Sequence, residues 1–337
     1  MKEVAEAAGV SQSTVSRVLA GADSRVPIAA ETRSRILAAA HESGYRPNPL
    51  ARGLRGASTH LIGAIVREIA DPFFASILEC LIDYARGSGY NVVLGHAHSS
   101  AAEAFNLETV LELRHCDGLI LVGDLQDSLT VDLNRTALPL VGLCQGQRLL
   151  GIPVINADNR VGSFAALDYL HRLGHRRIAF IDGGWLGDIA ERGQAYFDFM
   201  KSNDLPVLDG YQQSTTNDPT GGASALRSLL ALTPRPTAIF AATDALAIGV
   251  YHAAWSQGLR IPSDLSVVGF DDVKIAQFTN PPLTTVRQPI EKMAALAVQH
   301  LLPETEASVT SVQTIQYVIP ELMIRQSCCA HPQGDTC

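Results

Sequence analysis

A chain of 337 residues is long for a single core and points to two or three compact units. Its net charge of -8 is unevenly spread: residues 1–60 carry eight basic against five acidic side chains, or +3, leaving 18 against 29, or -11, for the rest. A small basic head on an acidic body excludes a chain drawn to phosphate along its whole length, and the lack of an apolar leader or a bilayer-length apolar run points to a cytoplasmic protein with no membrane partner. Six cysteines (Cys80, Cys116, Cys144, Cys328, Cys329 and Cys337) show no paired Cys-x-x-Cys spacing, so reduced thiols are expected rather than a disulfide framework or a zinc ribbon.

The first predicted helix covers Lys2 to Ala8, with Val4, Ala5 and Ala8 at helical spacing and Gly9 able to end it. Ser11 or Ser13 can cap a second helix whose apolar stripe is Val15, Val18 and Leu19. Two short helices around a tight glycine turn form a helix-turn-helix, and the second leaves Gln12, Ser13, Thr14 and Arg17 pointing away from its apolar stripe. Those donor-rich types read base edges in a major groove, so the chain opens with a DNA reader. A third helical pattern follows the loop Ala20 to Ile28.

From Leu61 onward short apolar runs alternate with amphipathic segments. The predicted strands begin with Leu61 to Val66, Asn91 to Leu94, Gly118 to Val122, Pro139 to Leu143 and Val154-Ile155. Arg177 to Ile181, Ala238 to Ala241 and Ser266 to Phe270 follow. Between them the helical segments are Phe74 to Gly87, Ala102 to Arg114, Gly162 to Leu173, Ala190 to Ser202, Gly221 to Leu232 and Ala245 to Gln257. The alternation predicts an α/β fold with helices on both faces of parallel sheets, and its length predicts two doubly wound subdomains side by side. Such sheets bind ligands beyond the carboxyl ends of their strands, where Asp71, Phe73, Phe74, His96, His98, Cys144, Gln145, Thr243, Asp244, Asp271 and Asp272 fall. His96 and His98 share a face if their strand continues. No third ligand at suitable spacing supports a metal there, and His96 reads better as a hydrogen-bonding specificity residue.

Several stretches together resemble the lactose repressor (LacI/GalR) family of bacterial transcription regulators. They are Lys2 to Leu19, Tyr45 to Arg52, Asp71-Pro72-Phe73-Phe74, Leu173 to Ala179, and Val267 to Asp272 followed by Pro282 to Val286. The likeness runs to about Ser327 and implies a headpiece (1–47), a hinge helix and linker (48–60), a core similar to periplasmic sugar-binding proteins (61–327) and a tail (328–337). The chain would cross between core subdomains near Asn156-Ala157-Asp158, Arg287 and Pro320. One subdomain would then hold about 61–157 and 287–319, the other 158–286 and 320–327. The resemblance implies a homodimer on a near-palindromic double-stranded operator; the tail shows no heptad that would favour a tetramer.

Carried over position by position, Gln12, Ser13 and Arg17 match base-reading residues, and Thr14 and Ser16 are candidates for backbone contact. Asn48, Arg52 and Leu54 fall in the hinge. Asn48 can cap a helix whose first turn suits Pro49, and Leu54 matches the leucine that wedges into the central base step. In the cleft, Arg192 and Asp271 match a pair that holds ligand polar groups, and Gln288 aligns with a further contact. Asp71, Phe73, Phe74, His96, Asn217 and Thr243 complete the candidate effector set, with only one of the two phenylalanines expected to face the ligand.

The chain also departs from the family. It begins almost at the first helix, so either Met1 is a misassigned start or the residue that usually caps that helix is missing; its loop 20–28 is longer, and Asn217, Cys144 and Thr243 replace the aromatic, acidic and Asn residues common at those places. No cofactor is expected. The reading is a DNA-binding transcription regulator, most simply a repressor, whose small effector is a sugar or polyol. A regulator responding to a purine or sugar phosphate is the alternative. A sugar or nucleoside hydrolase is a remote one, because no phosphate fingerprint, nucleophile elbow or metal motif stands at a strand-to-helix junction.

Overall fold

The structure, a computed structural model, describes residues 1–19, 28–45, 58–97, 116–124, 138–146, 152–184, 187–302 and 315–331. It divides into two compact units, Met1–Thr59 and His60–Cys337. The expected hinge residues Asn48, Arg52 and Leu54, His98, the helix Ala102 to Arg114 and the loop 20–27 lie outside the described residues, as do 332–337.

In the first unit α1 (Lys2–Ala8), α2 (Gln12–Leu19) and α3 (Ala30–Glu42) enclose a small core of Val4, Ala5, Ala8, Val15, Val18, Ile36, Ala39 and Ala40. Gly9 ends α1 in the left-handed region (φ 63°), its N–H donating to the Ala5 and Glu6 carbonyls, a conformation that favours glycine. α1 has no side-chain cap at Met1. Ser11, rather than Ser13, caps α2: its Oγ accepts from the Thr14 N–H at 3.2 Å.

The second unit holds two six-stranded sheets. The first contains β1 (Leu61–Val66), β2 (Asn91–His96), β3 (Gly118–Val122), β4 (Leu140–Leu143), β5 (Val154–Ala157) and β11 (Ile315–Val318), in the order β11-β5-β4-β3-β1-β2 and entirely parallel. The second contains β6 (Ile178–Asp182), β7 (Gln212–Ser214), β8 (Ala238–Ala241), β9 (Ser266–Asp271), β10 (Thr284–Arg287) and β12 (Glu321–Met323), in the order β12-β10-β9-β8-β6-β7. Only β12 runs antiparallel to its neighbour. Each sheet thus repeats one doubly wound order, with the strand sequence reversing beside β1 and beside β6, and ligands bind at such reversals.

The connecting helices are α4 (Pro72–Gly87), α5 (Asn159–Arg172), α6 (Gly187–Ser202), α7 (Pro219–Leu230), α8 (Asp244–Ser256) and α9 (Ile290–Leu301). α4 shows why these residues form a helix. Asp71 caps it through the Phe73 N–H at 2.9 Å, Pro72 occupies the first turn, and Phe73, Phe74, Ile77, Leu78, Leu81 and Ala85 form its buried face. Burying each such large apolar side chain stabilises the fold by about 1.5–3 kcal/mol. The chain passes from the first sheet to the second between β5 and β6, returns between β10 and β11, and crosses again between β11 and β12.

Where the second subdomain meets the C-terminal segment, buried His175 contacts Thr237 Oγ1 through Nδ1 (2.9 Å) and Ser266 Oγ and the Cys329 carbonyl through Nε2 (3.0 and 3.2 Å). Burial, with the nearby His331, pushes its pKa down to about 4. The folded state therefore binds fewer protons at this ring than the unfolded chain between about pH 6.5 and 4, and its stabilising share falls as pH drops through that window. His175→Gln is expected to remove that share, so the stability difference between parent and variant should shrink as pH falls from 7 to 4. Urea denaturation at several pH values measures it, and a pH-independent difference would contradict the assignment.

Candidate nucleic-acid interface and ligand cleft

On the face of α2 opposite its buried Val15 and Val18, Gln12 and Ser13 are exposed and Thr14, Ser16 and Arg17 half-exposed, so the five candidates share one polar surface. The hydroxyls of Ser13 and Thr14 both reach Ser11 Oγ, at 2.7 and 2.8 Å. Ser11 thus joins the polar rim at the start of this helix, a role that its capping signal alone did not reveal.

In the second unit the carboxyl ends of β1, β6 and β8 frame a cavity of about 480 Å³. Arg67, Glu68 and Asp71 line it from the first subdomain, and Ile189, Asn217 and Asp218 from the second. A second cavity of about 270 Å³ is bounded by Phe73, Asp271, Gln288, Lys274, Arg287 and Arg325 among others. The effector candidates therefore divide: Asp71 and Asn217 face the larger space, Phe73, Asp271 and Gln288 the smaller. Phe74 lines neither cavity. Its ring is buried edge-on to Phe73, with the Arg67 guanidinium 4.9 Å from its centroid. His96 ends β2 with Nε2 3.9 Å from Glu68 Oε1. Thr243 caps α8 through the Leu246 N–H and donates to Asn217 Oδ1 at 2.7 Å, so its hydroxyl is already engaged.

Arg192, Asp271 and Gln288 do come together, although they stand 79 and 96 residues from the first to the others along the chain. Arg192 is 1% exposed. Its Nε donates to Asn159 Oδ1 (2.9 Å), Nη1 to the Ala242 carbonyl (2.6 Å) and Asp271 Oδ1 (3.2 Å), and Nη2 to Asp188 Oδ2 (2.8 Å). Its guanidinium carbon lies 3.8 Å over the Phe270 ring. Gln288 Nε2 donates to the same Asp271 Oδ1 at 2.7 Å. Burial raises the Asp271 carboxyl above its ordinary range while Arg192 pulls the other way; burial likewise raises Asp71, opposed by the Phe73 N–H and Arg67.

Asp271 and Asp272 both have positive φ, 115° and 54°. Such backbone persists only where its surroundings hold it. Arg192 and Gln288 hold Asp271, while Arg287 Nε (2.7 Å) and Arg325 Nη2 (2.6 Å) hold Asp272, which ties the cleft to the strands that run between subdomains. Asn159 and Asp188 went unmarked in the sequence because both precede the expected helices Gly162 to Leu173 and Ala190 to Ser202, which begin earlier in the structure. Gln145 is buried and fixes the β4 end: its Nε2 donates to the Leu121 carbonyl at 3.0 Å, and its N–H to Asn156 Oδ1. Next to it Cys144 (φ 56°) presents a buried thiol whose pKa burial raises well above the usual value. Among the described residues no group of three or more His, Cys, Asp or Glu could hold a metal ion, and no helix is long and apolar enough to cross a membrane.

A helical DNA-reading unit and a two-sheet core with a polar cleft at its strand ends define a ligand-responsive DNA-binding regulator. Residues 1–48 match the model of bacterial regulatory proteins of the lacI family, and residues 167–328 that of the periplasmic binding protein-like domain. The chain is 33% identical over 309 residues to the HTH-type transcriptional repressor CytR of Escherichia coli, covering 91% of this chain and 89% of that protein. It is 32% identical over 330 residues to the ribose operon repressor of Haemophilus influenzae, covering 97% and 98%. The lac repressor dimer bound to operator and the anti-inducer ONPF superposes with a TM-score of 0.86 at 28% identity, over 97% and 98% of the two chains. The chain belongs to the LacI family of bacterial regulatory proteins, and these relatives are repressors, which removes the hydrolase alternative.

Arg17, half-exposed on the polar face of α2, gives a direct test of the nucleic-acid surface. A bidentate Arg–guanine contact discriminates by about 1–3 kcal/mol. Arg17→Ala is expected to weaken operator binding and relax base preference at one symmetric pair of positions. Unchanged specificity in a randomised-site selection would contradict that role.

Proposed function

We propose that this protein is a cytoplasmic, homodimeric repressor whose affinity for a near-palindromic operator is set by a small neutral polyhydroxylated effector, a sugar or sugar alcohol. The observation that carries this reading is the Arg192–Asp271–Gln288 network, which holds Asp271 and Gln288 on the smaller cavity while Asp71 and Asn217 line the larger. Asp271 and Asp71 supply carboxylate acceptors that suit hydroxyl groups, and the larger cavity is within the range of small-molecule sites. The relatives named for ribose and for the lac operator fit such an effector.

In this reading Gln12, Ser13 and Arg17 contact bases and Thr14 and Ser16 the backbone. Asn48, Arg52 and Leu54 form a hinge that orders on DNA, since so short a helix is marginal alone. The headpiece, hinge and two-subdomain core keep the boundaries given above. Asp71, Phe73, Asp271, Gln288 and Asn217 contact effector, with Arg192 and Thr243 orienting Asp271 and Asn217. His96 and Phe74 stay in the candidate set at its margin. A thermal-shift screen of sugars, polyols, sugar phosphates and nucleobases tests the class. A true effector at a hundred times its Kd adds about 2.7 kcal/mol to stability. Stabilisation by a phosphate ester or a nucleobase, with none from a neutral polyol, would overturn the reading.

A further inference from the structure

We infer that Asp188 is a specificity-determining residue that bars anions from the effector cleft by supplying the anion itself. The inference rests on the reading that this cleft binds the effector. Asp188 sits in the first turn of α6, a 16-residue helix, and Arg192 lies one turn further on. A helix N-terminus followed one turn later by a buried guanidinium is an arrangement that attracts a phosphate or carboxylate.

Here that position is filled from within the chain. Asp188 Oδ2 accepts from Arg192 Nη2 at 2.8 Å, and its side chain is 13% exposed against 1% for Arg192. With Asp271 Oδ1 on Nη1 at 3.2 Å, the buried Arg192 guanidinium already faces two carboxylates. Asn159 and the Ala242 carbonyl take two further N–H groups, so four of the five that an Arg carries are directed at protein acceptors.

The surroundings add to the barrier. Asp71 reaches the same region from the first subdomain and feels both Asp188 and Arg67, while Glu68 and Asp218 line the cavity. The larger cavity is thus lined by three carboxylates (Glu68, Asp71, Asp218) and one guanidinium (Arg67), and Arg192 is already paired with Asp188 and Asp271. An entering phosphate ester would have to displace Asp188 from Arg192 against that excess, whereas a neutral polyol can donate its hydroxyls to the free carboxylate oxygens. Discrimination here works by repulsion of the wrong ligand as much as by attraction of the right one.

The test is calorimetric titration of inorganic phosphate into the full chain, comparing the parent with Asp188→Asn, which keeps the shape and removes the charge. The parent is expected to give no saturable binding. Asp188→Asn should bind phosphate roughly tenfold or more tightly, the order expected for removing a unit charge a few ångströms from a bound anion in a partly screened site. Asp188→Ser should behave like Asp188→Asn, and Asp188→Glu, with the charge restored, like the parent. Folded Asn and Ser variants that gain no phosphate affinity overturn the inference while leaving the neutral-effector reading intact. A parent that itself binds phosphate in the cleft overturns both. Failure of both neutral variants to fold would also contradict it, because Asp271 alone is expected to hold Arg192.

Discussion

Replacing Asp271 by Ala is expected to abolish the effector response while the empty protein still binds its operator. Asp271 Oδ1 is the shared acceptor of Arg192 and Gln288, so the substitution removes the group that orients both donors as well as the acceptor proposed above for ligand hydroxyls. Hydrogen bonds to a charged group contribute about 1.5–3 kcal/mol each, which places the loss of effector affinity between about tenfold and a hundredfold or more. Fluorescence anisotropy of labelled operator, with and without effector, measures both quantities. A normal response in the Asp271→Ala protein would exclude the residue from the effector site.

The other large effect is on stability. Arg192→Met should destabilise the core unit by about 3–5 kcal/mol, the usual cost of removing one partner from a buried ion pair. Asp188 and Asp271 would then face each other across the lost cation, and the Asn159 and Ala242 oxygens would lose their donor. The penalty should shrink as pH falls, because the unpaired carboxylates escape it by taking up protons. Denaturation followed through the core's own transition reports the difference. A loss below about 1 kcal/mol would mean that these carboxylates are held by something other than Arg192.

Much of this arrangement was legible in the sequence because it rests on apolar periodicity. Leu61 to Val66, Gly118 to Val122 and Ala238 to Ala241 are continuous apolar runs, and each is a buried parallel strand. β7 was not legible: Gln212-Gln213-Ser214 is polar throughout and pairs only with β6 at the sheet edge. β12 likewise escaped notice, since three residues after Pro320 show no pattern until β10 provides a partner.

The cleft divides in the same way. Asp271 stands in a recognisable motif and Arg192 matches a family position, and their meeting follows from β9 ending beside β8 while α6 packs over β6. Asp188 and Asn159 carry no such mark. Their importance comes from what lies across from them in space, and a single acidic or amide residue in a first helical turn says nothing of that. Asp244 shows the limit most clearly. It reads as a strand-end residue of the cleft, yet it is fully buried, accepts from Thr285 Oγ1 at 2.6 Å and from the Val273 N–H at 2.9 Å, and has its pKa raised by burial to about 7.

Control of operator affinity by one small ligand in the core cleft, as proposed above, is testable in a single comparison through thermodynamic linkage. If the ligand changes operator affinity by some factor, the operator must change ligand affinity by the same factor. The measurement is calorimetric titration of the neutral polyol selected by thermal shift into the free protein and into its complex with a selected operator. Two ligand affinities whose ratio equals the measured shift in operator affinity are the result expected here. Equal affinities for the free and the DNA-bound protein would contradict control of operator binding from this cleft.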